Sequence, residues 1–146
     1  MDNELINAAR QVRANAYAPY SGYHVGAAVR ADDGRIFAGC NVENTSYGLT
    51  ICAERGAACA AVAAGAPRAF VAVAVVTDSG GTPCGACLQV LAEFAPPTPE
   101  TIVVFLANES NGTVRRTTLA ALFPEAFALR HAAPAPAQTQ PPRTIE

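Results

Sequence analysis

The chain has 146 residues, 51% of them hydrophobic, with 11 Gly and 11 Pro, a composition that specifies one globular domain able to bury its own core. Ten basic residues, all arginine, stand against twelve acidic ones for a net charge of -2, and this excludes the basic stripe that holds a nucleic-acid polymer. The longest apolar runs, 56–66 and 69–76, are too short to span a bilayer, and the acidic Met1-Asp2-Asn3-Glu4 start is unlike a signal peptide. A cytoplasmic protein with no membrane partner is expected, a compartment in which cysteines serve metals or catalysis more often than disulfides. The odd count of five cysteines points the same way.

From the N-terminus, Leu5, Ile6, Ala9, Val12 and Ala16 fall at helical spacing, and an amphipathic helix over Asn3–Ala16 ends at the turn around Pro19. Val25 to Ala31 and Arg35 to Val42 read as strands joined by an Asp32-Asp33-Gly34 hairpin turn. The polar loop from Glu43 leads to Thr50, the expected N-cap of a helix from Ile51 to Ala64, closed by Gly65 and Pro67. Phe70 to Val76 is a continuous Val-rich run of the kind buried on both faces of a sheet. Cys84 opens a helix running to Phe94, Ile102 to Ala107 is a further buried strand, and Val114 to Thr117 an edge strand. A short helix, Leu119 to Phe123, stops at Pro124. Strands alternating with helices give an α/β fold, a three-layer α/β/α sandwich around a mixed sheet of about five strands. Residues 1–131 are expected to form the folded domain, and 132–146, rich in Ala, Pro and Gln without periodicity, is expected to be a disordered tail.

The chemistry concentrates in Thr50-Ile51-Cys52-Ala53-Glu54-Arg55 and Pro83-Cys84-Gly85-Ala86-Cys87. Cys84 and Cys87 stand one helical turn apart, and Cys52 offers a third thiolate from elsewhere in the chain. Three protein ligands suit a catalytic Zn2+, because the fourth tetrahedral position stays open for water. Zinc brings the pKa of such a water down towards ~7. Glu54, two residues from Cys52, is then placed to act as general base and later as general acid. Both cysteine segments lie where a strand feeds a helix, and the partial positive charge of a helix N-terminus favours thiolates. Arg55, three residues after Cys52, lies on the same helical face and can donate to thiolate sulfur, withdrawing negative charge from the site. The competing reading is a closed structural zinc site with Cys40, Cys59 or His24 as fourth ligand, although Cys40 and Cys59 sit in apolar patterns that suit core cysteines. Asn41 and Glu43 alternate along a strand end and can face one side.

Zinc deaminases of nucleobases are built on this combination of cysteine ligands and a free glutamate, and the chain resembles the small homotetrameric cytidine deaminases. The resemblance runs from about Tyr17 to Phe127. It rests on Tyr17-Ala18-Pro19-Tyr20-Ser21, Val25-Gly26-Ala27-Ala28, Gly39-Cys40-Asn41-Val42-Glu43-Asn44, Cys52-Ala53-Glu54-Arg55 and Pro83-Cys84-Gly85-Ala86-Cys87, in the family's order and spacing. It implies a cytidine deaminase-like fold and zinc-dependent hydrolytic deamination of cytidine and 2′-deoxycytidine, a step of pyrimidine salvage. Cys52, Cys84 and Cys87 are then the metal ligands and Glu54 the proton shuttle. Asn41 and Glu43 bind a sugar hydroxyl, the backbone of Ala53 reads the pyrimidine edge, and Tyr23 stands where the family usually has Phe against the nucleoside. Phe127 reaches a neighbouring subunit's site in a homotetramer. One further departure is Leu88, where the family commonly has Arg after its last cysteine ligand.

Overall fold

Period-two alternation of small and branched apolar residues sorts the middle of the chain into one sheet with two different faces. The computed structural model describes residues 2–96 and 102–128. Its strands are Gly26–Ala31 (β1), Ile36–Cys40 (β2), Phe70–Thr77 (β3), Val103–Asn108 (β4) and Val114–Thr118 (β5), in the order β2-β1-β3-β4-β5. β1 runs antiparallel to both β2 and β3, β3 and β4 are parallel, and β5 returns antiparallel at the edge. The hairpin turn carries Gly34 at φ 88°, a left-handed conformation that glycine adopts without strain.

The helices are Asn3–Arg13 (α1), Ala53–Ala63 (α2), Gly85–Glu93 (α3) and Leu119–Leu122 (α4). Leu5, Ile6 and Ala9 of α1 pack on Ala28, Ala72, Ala74, Val76, Phe105 and Ala107. The alternate residues Ala27, Val29, Val73, Val75, Val104 and Leu106 face the other way, onto Ala53, Ala57 and Ala61 of α2 and Leu91 of α3. The result is the expected three-layer sandwich around a mixed five-stranded sheet. Leu5 is fully buried, so its truncation to Ala would cost about 2–5 kcal/mol.

The boundaries differ from expectation where long-range pairing overrides local signals. α1 ends at Arg13 rather than Ala16, and the 3-10 turn Tyr47–Leu49 interrupts the loop before Thr50. Thr50 is not the N-cap of α2: Ile51 exchanges backbone hydrogen bonds of 3.0 and 2.9 Å with Val42, which keeps it extended and moves the cap to Cys52. Cys84 is likewise the N-cap of α3. Cys59 is not a core residue but exposed on α2, and Cys40 is half-buried. The residue pattern of α2, small on every side, has no polar stripe to show which way it faces. Leu88 is 8% exposed and belongs to the core cluster between the helices and the sheet, an apolar place for which a long cation would be unsuited. No helix among the described residues is long and apolar enough to cross a membrane. The expected tail over 132–146 and most of the proline-rich connection after Ala95 lie outside the described residues.

Candidate active site

Topology brings the chemistry to one end of the sheet. Gly26 at the start of β1 pairs with Cys40 at the end of β2 and with Val76 near the end of β3. Tyr23 and Val25 therefore approach β1 where Asn41 leaves β2 and where β3 leads on towards Cys84. The N-termini of α2 and α3 point to this same end, because each follows the strand or bridge that finishes there. α2 reaches the sheet closely through Gly39, where a Cβ would lie 2.4 Å from the Ala57 nitrogen and 2.7 Å from the Ala53 carbonyl oxygen. Any larger residue at 39 would push the N-terminal turn of α2 off the sheet, and with it Cys52 and Glu54.

The sulfurs of Cys52, Cys84 and Cys87 lie within 4.8 Å of one another, those of Cys52 and Cys84 at 3.9 Å. Tetrahedral zinc with Zn–S bonds of ~2.3 Å sets its sulfurs ~3.8 Å apart, so this donor set fits Zn2+. Among the described residues no fourth histidine, cysteine or carboxylate joins the cluster, and Cys40, Cys59 and His24 are not part of it. The closed structural site is thereby set aside. The His24 ring is engaged elsewhere, its Nδ1 lying 3.0 Å from the Gly22 carbonyl oxygen.

Electrostatics set Cys52 and Cys87 apart. A hydrogen bond from Cys87, with further ones from the Arg55 guanidinium and Cys84, brings Cys52 down to about 5 against the opposing effect of burial. Cys87, donating to that sulfur and buried, is pushed up. Arg55 Nη2 donates to the Thr50 carbonyl at 3.0 Å and to Cys52 Sγ at 3.5 Å, which fixes the guanidinium beside the sulfur. Glu54 is 4% exposed, and burial raises its carboxyl above the ordinary value, with the negative Cys52 sulfur adding to the rise. A carboxyl raised towards neutrality can both take and return a proton.

A cavity of about 210 Å³ opens over this cluster, lined by Tyr23, Asn41, Cys52, Ala53, Glu54 and Cys84 together with Val25, Thr50, Val75, Thr77 and Thr82. Of the residues singled out in the sequence, Tyr23, Asn41, Ala53, Glu54 and two cysteines thus share one space. Thr50 opens the stretch singled out in the sequence, although as an expected helix cap; Thr77 and Thr82 were not anticipated, and Thr77, as the polar end of an otherwise apolar strand, carried the one available signal. Asn41 is buried, its Oδ1 accepting from Val25 N at 2.8 Å and its Nδ2 donating to the Tyr23 carbonyl at 2.8 Å. Glu43 lies next door, in a second cavity of about 370 Å³ with Tyr20, Ser21 and Tyr47 that shares Thr50 with the first. Its carboxylate accepts from Tyr20 N at 2.9 Å, Ser21 N at 3.2 Å and the Ser21 hydroxyl, and the hydroxyl foremost holds it below the ordinary value. A carboxylate has capacity for about four such bonds, so one acceptor position stays free for a ligand hydroxyl. Phe127 is 70% exposed, not core, and its carbonyl accepts from Gln89 Nε2 at 3.0 Å.

The family model described as the cytidine and deoxycytidylate deaminase zinc-binding region matches residues 1–105. The chain belongs to this family. A cytidine deaminase of Sporosarcina psychrophila is 48% identical over 130 residues, which span 87% of this chain and 92% of that one. The crystal structure of cytidine deaminase from Burkholderia pseudomallei superposes with a TM-score of 0.78 at 50% identity, covering 87% of this chain and 99% of that one. That of the Mycobacterium tuberculosis cytidine deaminase gives 0.73 at 42% identity, covering 87% and 97%. The fold inferred from strand and helix alternation is the fold of these family members, and the thiol cluster agrees with a zinc-binding region.

Proposed function

We propose that the chain hydrolytically deaminates cytidine and 2′-deoxycytidine, releasing ammonia, with Zn2+ held by Cys52, Cys84 and Cys87. The observation that carries this reading is Glu54, buried with a raised pKa at the wall of a cavity that is also lined by Cys52 and Cys84 of the three-sulfur cluster. Bound there, zinc supplies a hydroxide nucleophile at neutral pH by acidifying water. Glu54 Oε accepts the proton that water gives up, passes it to N3 of the ring so that C4 becomes electrophilic, and then takes the proton of the new C4 hydroxyl and delivers it to the departing amine. The C4–O bond forms, the C4–N bond breaks and ammonia leaves. Arg55 tempers the negative charge of three thiolates through Cys52. The Ala53 backbone, at the first turn of α2, reads the pyrimidine edge, and the Tyr23 ring closes one side.

Asn41 and Glu43 receive the sugar. Asn41 spends one amide hydrogen on the Tyr23 carbonyl and keeps the other, while Glu43 keeps an acceptor position in the adjoining cavity. Among the described residues neither cavity is lined by an arginine, so a phosphate would meet Glu43 without a cationic partner from them. The chain works as a homotetramer in which Phe127 of one subunit completes a neighbour's pocket. Its support is the exposure of Phe127 with Tyr47, Leu49, Ile51 and Val42, and an apolar groove along Ala58, Cys59, Val62, Val90 and Phe94. Five free cysteines suit a reducing cytoplasm, and residues 1–131 make up the catalytic unit. The test is kcat/KM by ultraviolet absorbance for cytidine, deoxycytidine, cytosine and cytidine monophosphate. Both nucleosides are expected to far exceed the base and the monophosphate. Equal efficiency on base and nucleoside would remove the sugar site, and preference for the monophosphate would change the substrate class.

A further inference from the structure

The two walls of the small cavity come from separate parts of the chain and are tied together by side chains outside the zinc cluster. One wall is the Tyr23–Val25 segment, whose backbone Asn41 pins from below. The other is the loop from Thr77 to Thr82, which runs directly into Cys84. Across the gap, Tyr23 Oη lies 3.1 Å from Ser79 Oγ. The loop comes so near that a Cβ on Gly81 would sit 3.2 Å from the same phenol oxygen. Behind this, Arg13 spans both walls. Its Nε donates to the His24 carbonyl at 2.9 Å and its Nη2 to Asp78 Oδ1 at 2.5 Å. Thr77 Oγ1 accepts from Gly81 N at 2.9 Å, closing the loop on itself.

Arg13 arrives there for a reason written in the fold. Leu5, Ala9 and Arg13 recur at four-residue spacing, so the arginine continues the buried stripe of α1. The end of that stripe rests on Gly26, where a Cβ would lie 2.0 Å from the Ala9 carbonyl oxygen and 2.7 Å from Arg13 Cβ. The guanidinium is thus delivered to the sheet end that holds the site.

We propose that Tyr23–Ser79 and Arg13–Asp78 form a double latch that fixes the 78–82 loop to the Tyr23 segment and sets the width of the substrate cavity. Arg13, Asp78 and Ser79 are positioning residues acting through Tyr23, which meets the substrate. The latch holds the Tyr23 ring at one fixed place, so substrate binding does not have to order it. The planar fork of Arg13 serves both walls at once from two separate nitrogens, a spacing that a compact ammonium does not reproduce. This inference rests on the reading of the cavity as a nucleoside site.

The test is kcat, KM and zinc content for cytidine in wild type, Tyr23→Phe, Ser79→Ala, Tyr23→Phe/Ser79→Ala and Arg13→Lys. The two single latch variants are each expected to raise KM about three- to tenfold, the scale of one neutral hydrogen bond, with kcat within about twofold and zinc retained. The double variant should be no worse than either single one, since both remove the same bond. Arg13→Lys keeps the charge yet should raise KM as well, because the fork is lost. Unchanged KM in Tyr23→Phe and Ser79→Ala, or additive losses in the double variant, would overturn the latch. So would loss of zinc and kcat without a change in KM, since the bond would then only brace Cys84. If wild type itself fails to turn over cytidine, the nucleoside reading fails instead, and the two failures are told apart in one experiment.

Discussion

Two glutamates eleven positions apart, Glu43 and Glu54, show how one side chain becomes two instruments. Glu54 is taken out of water at the first turn of α2, next to an anionic sulfur, and its proton is held more tightly than in the unfolded chain. Glu43 stays near solvent and is bound by the hydroxyl and amide of Ser21 and the amide of Tyr20, so its proton is held less tightly. Where desolvation outweighs hydrogen bonding, as at Glu54, the carboxyl is suited to exchange protons, whereas where hydrogen bonding outweighs desolvation, as at Glu43, it is a lasting acceptor. On the proposed function, the neighbouring cavities divide the labour, one for bond making and one for grip.

The sharpest way to break that contrast is to neutralise each carboxylate in turn. Glu54→Gln is expected to lower kcat for cytidine by at least ~100-fold with KM little changed. Glu43→Gln is expected to raise KM about tenfold, with kcat changed far less, since a charge-assisted bond to a sugar hydroxyl is lost. Steady-state kinetics on both variants check the split. The same fall in kcat for both would mean that the two sites are not distinct.

A smaller effect appears in stability, with opposite signs. Because the folded state raises the Glu54 pKa, its ionised form costs stability at neutral pH, and the cost fades as pH drops towards the unfolded value of ~4.3. Glu54→Gln should therefore raise the melting midpoint of the zinc-stripped, reduced protein at neutral pH, and the gain should shrink on acidification. The Glu43 pKa is lowered, so this residue contributes stability above ~4.3 that is lost as pH falls through the folded value. Glu43→Gln should lower the midpoint at neutral pH, the difference closing only in acid. Calorimetry across that range shows whether the signs differ.

The regular elements were legible because their periods are local: Leu5, Ile6 and Ala9 mark the face of α1, and the Val-rich stretch of β3 marks a strand covered on both sides. Two members of the cysteine cluster were legible because Cys-x-x-Cys at a helix start is a local pattern. What escaped depended on distant partners. Thr50 has the chemistry of an N-cap, but Val42 holds Ile51 extended and gives that place to Cys52. Cys59 sits in a helix of small residues with no polar face to orient it, and proved exposed. Glu43 turns to Ser21, a residue separated from it by the whole β1–β2 hairpin. Arg13 left one trace, a cation on the buried stripe of α1, but its partners His24 and Asp78 come from different walls of the site.

The most direct measurement of the central claim, an open three-thiolate zinc site, is the metal content of wild type, Cys84→Ala and Cys59→Ala, read beside their activity on cytidine. The sulfur cluster contains Cys84 and not Cys59, so zinc near one per chain is expected in wild type and Cys59→Ala, with both metal and turnover lost in Cys84→Ala. Retention of zinc and activity by Cys84→Ala, or their loss in Cys59→Ala, would contradict the ligand set.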